Sequence, residues 1–251
     1  MGHIHCFSTG VCYNGGVKTM NMKEKQRTLL IAGTVLVLLI LVAFLVPQSA
    51  VERRETGLTA EQIEAQEAVI EESKEAIKDF DARGVKDNTV YLSEYIILGN
   101  AYARIGDLRG ARSAYRDALT YAGTVEETER IYLTLFELEE RFENVSESRA
   151  VLEDAIEANP ERFVYWEELI SLEKAQFDLE GEDLESKIEE SIEATDRATG
   201  SLVTYALFLE DTGRYDESLQ YWREASALNP EYEAIYAQEI SRVEALRAAN
   251  Q

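Results

Sequence analysis

From Tyr91 onward one order of side-chain sizes returns along the chain, and this recurrence restricts the fold more than any single residue does. It runs Tyr95-x2-Leu98-Gly99-x2-Tyr102, Gly106, Ala111-x3-Tyr115 and Ala118, and comes back as Leu202-x2-Tyr205-Ala206-x2-Leu209, Gly213, Ser218-x3-Trp222, Ala225 and Pro230. A unit of about 34 to 37 residues cannot bury its apolar face alone, so such units are stable only when stacked. Within a unit the spacing fits two antiparallel helices. Small residues let them approach, Gly99 against Ala111 and Ala118, and Ala206 against Ser218 and Ala225. Gly106 and Gly213 permit the sharp turn between the helices, and Pro230 stops the second one.

Two weaker units lie between the strong ones. The first keeps the spacing with Tyr132, Leu135, Ser148, Leu152, Ala155 and Pro160, but Phe136 stands where a small residue is expected. The second begins with Trp166, Leu169 and Ile170, breaks at Gly181-Glu182-Asp183, and resumes with Ile188, Ile192 and Ala194, which predicts a lengthened inter-helix loop. The four units span 91–123, 129–160, 163–196 and 199–230 within a repeat region of 91–230. Ahead of them, Thr59 and Gln62 form a capping-box pattern, and Ile63, Ile70 and Ile77 share a face, predicting a helix over 60–82 that packs on the first unit. Behind them, 231–251 reads as a capping helix, with Ile235, Ile240, Val243 and Leu246 covering the end of the stack.

This order resembles the tetratricopeptide repeat, with Tyr95 in place of the usual tryptophan. The resemblance extends from Tyr91 to Gln251 and implies an all-α, right-handed α-solenoid of about four helical hairpins with a capping helix. Glu139 and Glu173 stand where that family favours tyrosine, which is similar to the half-tetratricopeptide variant of RNA-processing proteins. In the resembled family ligands lie in a concave groove lined by the first helix of each hairpin. That maps here to Ser93, Ile96, Asn100, Leu133, Glu137, Glu167, Ser171, Val203 and Leu207. The subclass that grips a C-terminal carboxylate needs basic groove residues; Asn100 alone matches it, and Ile96 replaces a required cation.

The N-terminal part is of another kind. Thr28 to Val46 holds no charge and nothing more polar than threonine. At about 1.5 Å of rise per residue it reaches about 30 Å, the thickness of a bilayer core. A cleaved signal has an apolar core of about 7 to 15 residues, and Val46-Pro47-Gln48-Ser49-Ala50 is a poor cleavage site. The expectation is a retained transmembrane helix at 28–46, after a disordered basic tail at 1–27 and before a linker at 47–59. Lys18, Lys23, Lys25 and Arg27 precede the span, whereas Arg53 and Arg54 sit between Glu52 and Glu55. That bias places the N-terminus in the cytoplasm and the repeats outside.

The formal charge is −23. Residues 1–47 carry four basic residues and one acidic residue, which leaves roughly −26 on the remainder. Such a surface repels nucleic-acid phosphates, so neither nucleic acid nor the RNA association of the half-repeat variant is expected. His3, His5, Cys6 and Cys12 all precede the span. The rest of the chain therefore lacks a cysteine or histidine nucleophile and a thiolate or imidazole metal site. No carboxylate pair stands out among so many, and Asp178-x-Glu180-Gly181-Glu182-Asp183 lacks the alternation of a calcium loop. No catalytic residue, cofactor or metal is expected. The reading is a membrane-tethered scaffold, not an enzyme, whose groove takes a protein or peptide segment with basic and apolar side chains. The alternatives are a holdase-type assembly factor for exported proteins, and a module self-associating through the Ile63, Ile70 and Ile77 helix and the end helix.

Overall fold

The computed structural model describes residues 57–250. Thr59 starts the first helix with a reciprocal box. Its Oγ1 accepts from the Gln62 amide at 3.2 Å, and its own amide donates to Gln62 Oε1 at 2.8 Å. These bonds satisfy two of the donors a helix start leaves unpaired. The helix, α1 (Ala60–Arg83), ends at Gly84 in the left-handed region, one residue beyond the expected end. Asp87, Asp107 and Thr124 cap the next three, α2 (Asn88–Arg104), α3 (Leu108–Leu119) and α4 (Val125–Arg141). Then follow α5 (Val145–Ala158), α6 (Phe163–Gln176), α7 (Gly181–Ala194), α8 (Thr199–Asp211) and α9 (Tyr215–Leu228). A 3-10 turn at Pro230–Tyr232 leads into α10 (Glu233–Ala249).

The described residues form an all-helical, tetratricopeptide-like solenoid without strands. Each helix packs on the next in sequence, and α6 also touches α8. All belong to one compact unit running Glu52–Gln251. No helix among the described residues is long and apolar enough to cross a membrane. The tail expected at 1–27, the span expected at 28–46 and most of the linker expected at 47–59 lie outside the described residues.

The core has three clusters. Ile70 joins Leu98, Ala101, Ile105 and Ala114, with Ile63 and Ile77 half-buried against them. Full burial of one such side chain is worth about 1.5–3 kcal/mol, so the α1 stripe contributes substantially to holding this helix on the first hairpin. A second cluster runs from Leu92 through Leu135, Phe136 and Leu152 to Leu169 and Leu172, and a third from Ile170 through Leu202 and Trp222 to Val243. Helix α6 therefore contributes to two cores. Phe136, at the position expected to be small, is buried in the second.

Several sequence expectations change in detail. A Cβ on Gly99 would meet the Tyr115 ring at 2.7 Å, so Gly99 lets α2 approach that ring closely. Gly181-Glu182-Asp183 forms the first turn of α7, and the loop before it, 177–180, is one residue longer than the inter-helix loops of the other units, as expected. At the C-terminal end, Val243 is fully buried and Tyr236 nearly so, whereas Ile235 is 58% exposed and Leu246 is 37% exposed. Ile240 packs on the same core as Val243, so half of the expected stripe covers the stack, and Tyr236, packed on Trp222, completes the cover in place of Ile235 and Leu246.

Each inter-helix turn holds one left-handed residue, two positions after the first helix ends. Gly106, Glu143, Asp178 and Gly213 all have positive φ, at 74°, 57°, 52° and 76°. Glycine adopts this region without steric penalty. The two central turns reach it without glycine, which is why their units stood out less in the sequence.

Candidate functional site

The first helices of successive units, α2, α4, α6 and α8, contribute the walls of two grooves. The larger, of about 510 Å3, lies between α2 and α4 with Tyr115 of α3 at its base. Leu92, Ser93, Ile96, Ile97 and Asn100 come from α2, and Glu127, Arg130, Ile131 and Thr134 come from α4. The Tyr115 hydroxyl donates to Asn100 Oδ1 at 2.9 Å, which directs the Asn100 amide N–H groups away from the tyrosine. Burial pushes the Tyr115 hydroxyl upward, Arg141 opposes that and Glu137 adds to it, so it stays a protonated donor. The second groove, of about 330 Å3, is lined by Glu167, Ile170, Ser171, Lys174 and Ala175 of α6 and Thr204 of α8.

Of the residues expected to line a groove, Ser93, Ile96 and Asn100 come together in the first, and Glu167 and Ser171 in the second. Leu133 and Glu137 line neither, nor do Val203 and Leu207. On α4 the groove stripe is Glu127, Arg130 and Thr134, which stepping back from Glu137 by three, four and again three residues would have found. Ile97, 40% exposed beside Ile96, was also missed.

The residues expected to form the repeat core are mostly closed off. Ala111, Ala118, Ala206, Ser218 and Ala225 are fully buried, Leu98, Gly99, Tyr115, Tyr205 and Trp222 are buried, and Tyr95 and Tyr102 are half-buried. Gly106 is buried, while Gly213 and Pro230 are exposed at their turns. Gly110, which the sequence pattern did not single out, meets the Tyr102 ring as Gly99 meets Tyr115.

Charge is organised by cross-links between units. Arg112 on α3 grips both oxygens of Glu139 on α4, with Nη2 2.6 Å from Oε2. Arg149 on α5 reaches Glu173 on α6 at 2.7 Å. Both glutamates, at the positions where tyrosine was expected, are almost wholly buried. Near the second groove the carboxylates crowd instead. Burial, and then Glu167, Glu140 and Glu137, hold the Glu168 carboxyl above its ordinary range. Among the described residues no group of histidine, cysteine and carboxylate side chains could hold a metal ion. His3, His5, Cys6 and Cys12 lie outside the described residues.

The geometry is that of a helical-repeat protein with a groove on its first helices, and residues 95–124 match the tetratricopeptide repeat family model. A comparison with curated proteins returns no match. Among solved structures, the chain is similar to a crystal structure of MamA, at 18% identity over 66% of this chain and 90% of that one, with a TM-score of 0.40. It is also similar to BtubC from P. vanneervenii, at 17% identity, 76% and 92% coverage and a TM-score of 0.43. A third likeness is to the TPR2AB-domain:pHSP90-complex of yeast Sti1, at 14% identity, 71% and 78% coverage and a TM-score of 0.36.

Proposed function

We propose that this chain is a membrane-tethered tetratricopeptide scaffold that holds a protein partner at the extracytoplasmic face of the cell membrane. The observation that carries the binding role is the groove between α2 and α4, where exposed Ile97 stands beside Asn100 and Arg130. Apolar wall and a few directional polar groups are what a partner segment needs. The uncharged stretch from Thr28 to Val46, with its preceding lysines, supports the tether and its direction. Confinement at a membrane raises the effective concentration of the groove for other envelope proteins. The carboxylates around Glu168 favour a partner with basic side chains.

Proximity labelling from a tag at Gln251 in native membranes tests this reading. Enrichment of a short set of exported or envelope proteins, lost with Ile97→Arg, supports it. Purely cytosolic labelling overturns the topology, and labelling indifferent to the groove overturns the scaffold.

Self-association is a second reading, favoured by exposed Leu228, Tyr232, Ile235 and Leu246 on and beside α10. Mass measured against protein concentration separates it from a monomeric scaffold.

A further inference from the structure

A third cavity, of about 340 Å3, opens between α4, α5 and α6, lined by Glu140, Glu143, Asn144, Ser148, Leu172 and Gln176. It shares no residue with either groove. Ser148 is fully buried, yet its hydroxyl oxygen has no hydrogen-bond partner. A buried hydroxyl is ordinarily paired, so this one is a polar group awaiting a partner.

The chain contains a second version of the same place. The segment from Phe136 to Gln176 aligns without insertion on the segment from Ala206 to Leu246. Helix α4 ends at Arg141 as α8 ends at Asp211, α5 matches α9 end to end, Pro160 matches Pro230, and α6 starts at Phe163 as α10 starts at Glu233. Glu140, Ser148 and Leu172 therefore correspond to Glu210, Ser218 and Arg242. In the second version Arg242 Nη1 lies 2.7 Å from Glu210 Oε2, and Trp222 Nε1 donates to Glu210 Oε1 at 2.7 Å. Ser218 Oγ joins the same oxygen at 3.4 Å. In the first version Leu152 stands for Trp222 and Leu172 for Arg242. The cation and the indole are gone, Glu140 remains exposed, and the cavity is what they leave.

We propose that this cavity binds the guanidinium group of an arginine from a protein partner, supplying from outside what Arg242 supplies from within in the later unit. A guanidinium carries five N–H donors in a planar fork and no acceptor. Glu140 can take two of them side by side, and Ser148 Oγ can accept a third. Asn144 already donates its amide nitrogen to Glu139 at 3.1 Å, so its side-chain oxygen is presented as a further acceptor. Glu143 lines the same cavity. The inference stands apart from the groove reading, since the two sites have no residue in common.

The test titrates N-acetyl-arginine methylamide, and its lysine counterpart, onto the full chain while the backbone amide signals of Asn144 and Ser148 are followed by nuclear magnetic resonance. The arginine probe is expected to give saturable shifts at those two amides. Glu140→Gln is expected to weaken its binding about tenfold or more, the usual effect of losing a charged hydrogen-bond acceptor. Ser148→Ala is expected to weaken it while leaving the helix crossing intact, and Leu172→Arg to abolish it by filling the cavity from within. If Leu172→Arg does not fold, the first two variants decide. Shifts that do not saturate, unchanged binding in both Glu140→Gln and Ser148→Ala, equal binding of the lysine probe, or shifts confined to Ser93 and Ile96 would each overturn the assignment.

Discussion

The Arg112 guanidinium holds both carboxylate oxygens of Glu139 across the boundary between the first and second units, with only 1% of the Glu139 side chain exposed. Taking two charges out of water is costly, and their attraction offsets that cost only while both remain. Arg112→Ala is expected to destabilise the fold by about 3–5 kcal/mol, because it leaves the Glu139 charge buried without its counter-charge. Arg112→Met with Glu139→Leu is expected to recover most of that loss. Urea unfolding of the single and double variants checks both outcomes, and a single variant as stable as the parent would show that the pair carries no such charge.

The close approach of α2 to Tyr115 predicts a different sensitivity. Gly99→Ala puts a methyl group 2.7 Å from the Tyr115 ring, which is itself buried and cannot withdraw freely. Overpacking of this kind costs about 1–3 kcal/mol. A fall in melting temperature is expected, together with loss of the bond from Tyr115 to Asn100, so the amide of Asn100 should also change its magnetic resonance position.

A turn prediction has the opposite sign. Asp178 is exposed and sits at a φ of 52°, where Gly106 and Gly213 occupy the matching place in other units. Asp178→Gly is expected to stabilise the chain by up to about 1 kcal/mol, since relief of the left-handed strain competes with the greater freedom of glycine when unfolded. Thermal unfolding reads this directly.

The pH dependence of Glu168 follows from the direction of its shift. Its folded-state carboxyl titrates above the ordinary carboxylate range, so the proton is held more tightly in the folded than in the unfolded state. The stability linked to that proton is fully present below the unfolded value and is lost as pH rises through the folded one. Glu168→Gln is therefore expected to raise the melting temperature at pH 7. The gain should vanish as pH falls below the unfolded carboxylate range, where the parent side chain is itself neutral. A gain of the same size at pH 3 would mean that burial and crowded charge are not its source.

The fold was readable where local chemistry and repeat spacing agree. Thr59 and Gln62 announced the start of α1, and the alternation of large and small residues located both strong hairpins. The weaker central hairpins were harder because Glu143 and Asp178 hold a turn that glycine usually marks, and because Phe136 fills a position where a small residue was expected. The acidic residues Glu139 and Glu173 could be picked out as departures from the pattern, but not their partners. Arg112 lies 27 residues before Glu139, and nothing local links the two. The groove was read in part. Ser93, Ile96 and Asn100 follow from one helix and its spacing, whereas Arg130 and Thr134 depend on how α4 is rotated against α2. The same rotational uncertainty misplaced Ile235 and Leu246, whose helix has apolar residues on more than one side.

Whether the groove between α2 and α4 holds a protein partner is tested most directly by a photo-crosslinking amino acid placed at Ile97 in the full chain in native membranes, with the same probe at exposed Arg104 as the control. The account predicts one or a few discrete adducts with envelope or exported proteins from Ile97, absent from Arg104 and lost when Asn100→Arg is added. Adducts of equal pattern from both positions, or none from Ile97, would contradict it.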